Sequence, residues 1–173
     1  ELALESVDHK FKGIFENAND GITISEPNGR FLKVNNLTCE KLGYSEKELL
    51  QKKAMDVISS YASKMFIEQL RELYMYGHVI TESEVVSKNG ICMPVELSMC
   101  FIEFRGKPAI LAIIRDIQER KKAEKMLKYE IDRAQNYLDI AGTSIIAVDA
   151  EQKVTLINKK GSELLGYPKK DIV

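Results

Sequence analysis

Residues 14–49 read IFENANDGITISEPNGRFLKVNNLTCEKLGYSEKEL, and residues 137–172 read YLDIAGTSIIAVDAEQKVTLINKKGSELLGYPKKDI, in register at a constant offset of 123 with no gap. The matched pairs include Ala18 with Ala141, Ile22 with Ile145, Asn35 with Asn158, Glu40 with Glu163, Leu42 with Leu165, Gly43 with Gly166 and Tyr44 with Tyr167. Self-similarity at a fixed period means one folding unit used in tandem. The second copy occupies only the end of a 173-residue chain, too little to bury a core unaided. The organisation expected is one whole domain, a connector and the start of a second domain. Beginning at Glu1 without Met, inside an apolar-periodic stretch, the sequence reads as a piece of a longer protein.

Charged residues make up 29% of the chain and nearly balance at a net charge of −1, so no polybasic face for nucleic acid is expected. No apolar run approaches the roughly 18 residues of a membrane span, so no membrane contact by these residues is expected. Cys39, Cys92 and Cys100 are odd in number and lack a CxxC spacing. That suits a reducing cytoplasm better than a disulfide framework. No signal-peptide pattern is present.

Asn28-Gly29 and Asn89-Gly90 sit between apolar-alternating runs and predict tight type I′ hairpin turns. The first joins strands over 22–26 and 30–35, the second strands over 79–87 and 91–104. A fifth strand, about Ala109 to Asp116, follows Arg105-Gly106-Lys107-Pro108. In strand four Val95, Leu97, Met99 and Phe101 share one face, the period of two of a sheet with a buried side. Strand five, AILAII, is apolar on both faces, so something apolar must also cover its outer side. Between the hairpins the pattern is helical: Asn35 caps a short helix ended by Gly43, and Ser45 to Glu48 is a capping box. A longer helix over 60–76 carries Tyr61, Met65, Leu70 and Leu73 and ends at Gly77.

The element order β-β-α-α-α-β-β-β, with VNNLTCEKLGYSEKEL (34–49), SKNGICMPVELS (87–98) and RDIQERKKAE (115–124), resembles a PAS domain with its C-terminal PAC motif. The likeness is to the PAS domains of bacterial and archaeal sensor histidine kinases; it covers residues 15–124 and recurs over 137–173. It implies an α+β fold: a five-stranded antiparallel sheet of order 2-1-5-4-3, helices inserted between strands two and three, and flanking amphipathic or coiled-coil helices. The implied division is an N-terminal amphipathic helix at 1–18, a first domain at 19–116, a linker helix at 117–141 and an incomplete second domain at 142–173. A ligand cavity in this family lies between sheet and helices. The resemblance implies that Ile22, Ile24, Leu42, Met65, Leu73, Val95, Leu97, Met99, Ile110, Ala112 and Ile114 line it. Read from pattern alone, each of these residues is equally what a plain hydrophobic core requires.

From Ile117 the chain carries Arg120, Glu124, Leu127, Ile131, Ala134, Leu138 and Ala141 three and four residues apart, a heptad seam for a parallel coiled coil or an amphipathic helix. Leu4, Val7, Phe11, Ile14 and Ala18 repeat the rhythm before the first copy. Leu111 and Ile113, on the outer face of strand five, are expected to meet the N-terminal helix or a second chain, and a homodimer is the expected state. Asp116 ends strand five where the linker helix begins and can cap it, with Arg120 one turn on placed to pair with it. Asp116-Ile117 and Glu119-Arg120 match the family's junction motif, which couples sheet to helix, although Gln118 stands where Thr or Ser is commoner.

Only His9 and His78 occur, and His9 lacks the flanking pattern of a kinase phospho-acceptor box. No ATP-binding Gly-rich segment is present either, so no catalytic residue is assigned to these residues. His78 is of a type that ligates haem iron, but after a long helix it reads as a solvated loop residue. LLQKKAMDVI, where a light-sensing relative has its reactive cysteine, has none. Cys92 and Cys100 share the outward face of strand four and are expected to be buried and inert. The function expected is a cytoplasmic sensor and dimerisation region, binding a small molecule or partner and relaying a conformational change through the helical linker. The output expected is a histidine kinase and its phosphorelay. Two other readings stay open: a haem- or flavin-bearing redox or gas sensor, and a ligand-free dimerisation scaffold in a cyclic-dinucleotide enzyme or transcription regulator. The cofactor is left unknown, and no metal site is expected.

Overall fold

The computed structural model describes residues 11–166, in two compact units that divide at Glu119 and Arg120. Leu4 and Val7 lie outside the described residues.

The first unit opens with helical residues 11–16 (α1) and continues with β1 (Gly21–Ser25), β2 (Phe31–Val34), α2 (Asn36–Leu42), α3 (Glu46–Leu49) and a 3-10 turn (Ala54–Val57). It is completed by α4 (Ser60–Tyr76), β3 (His78–Val86), β4 (Cys92–Phe104) and β5 (Lys107–Asp116). The strands form one antiparallel sheet of order β2-β1-β5-β4-β3, the order that the family resemblance implies. Each helix is stopped by its own chemistry: Asn35, Ser45 and Ser59 cap the starts of α2, α3 and α4. Gly43 and Gly77 close α2 and α4 in the left-handed region, at φ of 72° and 77°.

The two Asn-Gly turns differ from expectation. Only the glycines, Gly29 and Gly90, have positive φ; the asparagines do not. Gly29 N–H donates to Glu26 C=O, and Glu26 N–H to Arg30 C=O, which makes a type I turn followed by a left-handed glycine. A type I′ turn needs two consecutive positive φ values. That pair occurs instead at Arg105 (53°) and Gly106 (74°), in the two-residue link between the paired Phe104 and Lys107.

Apolar residues cover both faces of the sheet. On the inner face Phe31, Val34, Leu42, Leu49, Val57, Val85, Val95 and Leu97 form one cluster, and Phe66, Leu73, Val79, Met99 and Ile110 another. On the outer face Phe15, Ile24 and Ala109 are buried with Ile22, Leu32, Ile102, Phe104 and Leu111 around them. The outer cover that strand five demands is thus supplied in part by Phe15 of α1. Phe11 stacks on Phe15, and the Lys33 ammonium lies 4.8 Å from both rings, so β2 and α1 are held together. Ile14, expected on the packing face, is 76% exposed; the neighbouring Phe15 takes that place.

The capping box of α3 carries a pH signature. Glu48 accepts hydrogen bonds from Lys88 Nζ at 2.6 Å and from the Ser45 backbone and hydroxyl at 2.9 Å. The Lys88 bond first, then Ser45, holds its carboxyl at about 2, against an ordinary 4.5. A depressed carboxyl pKa contributes stability that is present above the unfolded value and lost as pH falls through the folded one. We therefore expect Glu48→Gln to be less stable than wild type at pH 7. The gap should close between pH 4.5 and pH 2, and shrink in 1 M salt because the pair is exposed. Urea unfolding across that pH range checks it; a gap independent of pH would contradict the assignment.

The second unit begins within α5 (Gln118–Ile140) and continues with β6 (Ile146–Val148), β7 (Val154–Ile157) and α6 (Lys159–Leu165). β6 and β7 pair antiparallel, with Ile146 opposite Ile157. The repeat seen in sequence is a repeat in structure. Gln152 N–H donates to Asp149 C=O and Asp149 N–H to Lys153 C=O, as at Gly29 and Glu26. Gln152 adopts φ of 64° where the first copy has glycine.

Candidate functional site

β5 and its neighbours supply three linked features: a cavity, a smaller cavity beside it, and a charged junction at the strand's end. The larger cavity, about 340 Å³, lies between the inner face of the sheet and the helices, within the range of small-molecule sites. Its walls are Thr23 and Ser25 from β1, Leu97 and Met99 from β4, Ile110, Ala112 and Ile114 from β5, and Phe66, Ile67 and Leu70 from α4. Pro27, Asn28 and Gly29 of the first turn, with Ala54, Met55, Val57 and Ile58, complete it together with Phe31 and Val85. Met55 and Ile67 are 42% and 60% exposed, which puts the rim of the cavity between the 3-10 turn and α4.

Of the residues expected there, Leu97, Met99, Ile110, Ala112 and Ile114 line this cavity. Ile22 and Ile24 do not: they pack on the outer face, and this corrects the sequence reading. The reason is register. Ile22 pairs with Ile113 and Ile24 with Leu111, so the β1 residues that share a face with Ala112 and Ile110 are Thr23 and Ser25. Leu42 and Val95 line the smaller cavity, and Leu73 is fully buried beside Val79 and Met99 without reaching the larger one. Met65 and Tyr61 are exposed. The buried stripe of α4 is Ala62, Phe66, Gln69 and Leu73; of the expected positions Leu73 belongs to it and Leu70 lines the larger cavity, while Tyr61 and Met65 each lie one residue before a buried one. Gln69 donates through Nε2 to Thr81 Oγ1 at 3.2 Å, while its buried Oε1 has no partner.

The smaller cavity, about 130 Å³, is lined among others by Gly21, Thr38, Lys41, Leu42, Val85, Val95, Ile114 and Asp116. Ile114 and Val85 line both cavities. Two residues beyond Ile114, Asp116 accepts from Lys41 Nζ of α2 at 2.6 Å through Oδ2 and from Gln118 N–H at 2.9 Å through Oδ1. It is therefore at once an ion pair to α2 and the cap of α5. Arg115 grips Asp20, just before β1, through Nε and Nη2, the latter at 2.9 Å, and reaches Glu96 of β4 at 3.9 Å. Ile117 is buried and its N–H donates to Pro94 C=O at 3.2 Å. Arg120 pairs with Glu124 at 3.9 Å. The end of β5 is thus tied to α2, β1 and β4.

A second set of ties attaches the leading helix, and its centre is fully buried Asn35. Its Oδ1 accepts from Ile22 N–H, Thr38 N–H and the Thr38 hydroxyl at 2.7–3.1 Å. Its Nδ2 donates to the carbonyls of Phe15 and Asp20 at 3.1 and 3.0 Å. One side chain thereby joins α1, β1 and α2. Asn158 repeats this: Oδ1 accepts from Ile145 and Gly161 N–H, and Nδ2 donates to the carbonyls of Leu138 in α5 and Thr143. Glu16 with Asn36 N–H and Asp139 with Lys159 N–H are a further matched pair. Sequence reasoning assigns Asn35 only the α2 cap; its partner at the repeat offset, Asn158, is the signal that it does more.

The remaining candidates divide as follows. His78 is exposed at the start of β3 and is not among the cavity-lining residues. Cys92 is exposed, contrary to expectation, because β4 begins there, opposite Val86 and directly after the hairpin turn; Cys100 is half-buried. Burial first, then the carboxylates of Glu46 and Glu16, push the Cys39 thiol above its ordinary value, away from a reactive thiolate. Leu111 packs in the cluster with Phe15, and Ile113 is half-buried. On α5, Leu127 and Ile131 are exposed and Leu138 half-buried. Among the described residues no cluster of His, Cys, Asp and Glu is placed to hold a metal ion, and no helix is long and apolar enough to cross a membrane.

Comparison with known proteins agrees with this geometry. The family model for the PAS domain matches residues 19–119. The methyl sulfide methyltransferase-associated sensor of Methanosarcina acetivorans is 33% identical over 169 residues, which cover 95% of this chain and 17% of that protein. Sporulation kinase E of Bacillus subtilis is 27% identical over 177 residues, 99% of this chain and 23% of the kinase. The chain therefore spans less than a quarter of the length of either relative. Among solved structures, the PAS domain of an HTR-like protein from Haloarcula marismortui superposes with a TM-score of 0.60 at 27% identity, covering 66% of this chain and 95% of that one. A domain of the sensory box sensor histidine kinase/response regulator from Geobacter sulfurreducens gives 0.56 at 30%, covering 65% and 96%.

Proposed function

The chain belongs to the PAS domain family, and from that premise we propose that it is the sensing and dimerisation region of a longer signalling protein, a cytoplasmic sensor histidine kinase. Kinase names among its relatives support the output, including sporulation kinase E and the sensor histidine kinase TmoS of Ectopseudomonas mendocina, 28% identical over 130 residues. Phosphotransfer is assigned to other parts of the parent protein.

The observation that carries the reading is that Ile114 lines both cavities two residues before Asp116. A molecule entering the larger cavity presses on Ala112 and Ile114. A packed interior passes such a displacement on rather than absorbing it. The end of β5 then shifts against Lys41 and Asp20, and Asp116, as the cap of α5, carries the shift into the helix. The Asn158 tie to Leu138 takes it from α5 into the second module. Signal-relay roles follow for Asp116 and Ile117, with Arg120 in the first turns of the helix.

A relay along α5 needs a second helix to register against. Leu127 and Ile131 occupy the heptad seam and are 64% and 59% exposed, which fits a parallel pair of α5 helices in a homodimer. We expect Ile131→Asp to weaken the dimer at least tenfold in sedimentation velocity, by burying a charge in the seam. Ile113→Asp on the outer sheet face should weaken it as well. A sedimentation profile unchanged by Ile131→Asp would remove the coiled linker from the mechanism.

A further inference from the structure

The walls of the larger cavity carry a chemical specification. No lining residue bears a charge; the surface is aliphatic, with Phe31 and Phe66 as its aromatic rings. Its polar side chains are Thr23, Ser25 and Asn28. Asn28 is already engaged, donating to Glu26 Oε2 and accepting from Arg30 N–H. Thr23 and Ser25 are different. They are 3% and 7% exposed, and neither hydroxyl has a hydrogen-bond partner among the described residues. Both hydroxyls open into the cavity: the enclosed side-chain atom without a partner among the described residues is Gln69 Oε1, not either of these, and cavity water satisfies them in the absence of a ligand. Two hydroxyls facing one apolar cavity from the same strand, neither bonded to the protein, are the donors and acceptors that the cavity offers a ligand.

The fold does not require those hydroxyls. In the second copy the in-register residues are Ile146 and Val148, on a strand of the same kind followed by the same turn. The β1 position therefore accepts β-branched apolar side chains, and the first copy has polar ones where its cavity lies. Two residues apart on a strand, the hydroxyls are separated by about 6.5–7 Å.

We propose that the cavity binds an uncharged molecule of about a dozen non-hydrogen atoms, the number that fills it at the density of a protein interior, with an apolar body and a hydroxyl, carbonyl or amide group bound by Thr23 and Ser25. This rests on the reading of the cavity as the sensory site. It excludes anionic ligands such as carboxylates and phosphates, for which the cavity offers no countercharge.

The test uses two chains of matched length as probes, 1-decanol and decanoate at pH 8, titrated into the 173-residue chain and followed by amide chemical shifts. Decanol should bind with shifts centred on Ile110, Ala112 and Ile114, and decanoate at least a hundredfold more weakly. The Thr23→Val/Ser25→Ala double variant should bind decanol about tenfold more weakly than wild type. A urea midpoint for this variant close to wild type establishes that it is folded, and single Thr23→Val serves if the pair is not. Failure of decanol to bind, equal binding of decanoate, or undiminished binding by the folded variant overturns the proposal. None of these outcomes bears on the relay to α5, which is tested without any ligand.

Discussion

Replacing Asn35 with Ala should lower the unfolding free energy of the first domain by about 4 kcal/mol, the range reached when a buried hydrogen-bond network is cut. The substitution strips partners from Ile22 N–H, Thr38 N–H and hydroxyl, and the carbonyls of Phe15 and Asp20 in one step. Each orphaned group costs about 1–3 kcal/mol where water cannot reach it, and local rearrangement lets some of them find water. The loss has a direction as well as a size. Because α1 hangs on the Phe15 carbonyl, its amides should exchange hydrogen faster than those of the sheet core. Asn35→Asp separates the two halves of the tie, keeping the acceptor and removing both donors, with a negative charge set against two carbonyl oxygens. It should release α1 while α2 stays capped. Urea unfolding with amide exchange checks both variants. A loss below about 1 kcal/mol for Asn35→Ala would mean that the network is not the attachment of the leading helix.

The second large effect is expected at Gly21. A Cβ there would lie 2.9 Å from Thr38 Oγ1 and 3.4 Å from Ile114 Cβ. Thr38 cannot give way cheaply, since its hydroxyl is held at 2.7 Å by Asn35. The second copy has its glycine at the other of the two positions. Its in-register residues are Ser144 and Gly161, so the side chain sits on the strand and the glycine on the helix. A Cβ on Gly161 would in turn lie 2.9 Å from Ile157 Cγ1. Gly21→Ser should therefore cost about 2 kcal/mol, in the range of overpacked cores. The same substitution on a Thr38→Gly background should cost less than half as much. A double-mutant cycle by urea unfolding measures the coupling. Additive losses would show that the two positions do not share one space.

The register between the two copies makes much of this legible in the amino-acid order alone. It points to Asn35 and Asn158, and the glycine and serine signals place the ends of α2, α3 and α4. Strand order follows from the family resemblance. The face of β1 is not legible, and the reason is physical. Alternation says that Ile22 and Ile24 pack inward, and Ile24 is buried and Ile22 half-buried, but it does not say on which side of a strand whose two faces are both covered. Here Phe15 covers the outer face and draws the isoleucines there, leaving hydroxyls inward. In α4 the residues Tyr61, Ala62, Met65, Phe66 and Ile67 offer apolar groups over too wide an arc for periodicity to fix the phase. Tyr61 and Met65 fit the same apolar spacing as Ala62 and Phe66, so the expected stripe shares only Leu73 with the buried one. The Lys41–Asp116 pair joins residues 75 positions apart, which no local spacing reveals.

The central claim is that filling the cavity under β5 is felt in α5, and it can be tested without knowing the ligand. Ala112→Phe puts a ring into the cavity from the strand that ends at Asp116. Amide hydrogen exchange of residues 118–131 should then differ severalfold between this variant and wild type, together with the amides of the cavity wall. Altered exchange in the wall with α5 unchanged would contradict the relay.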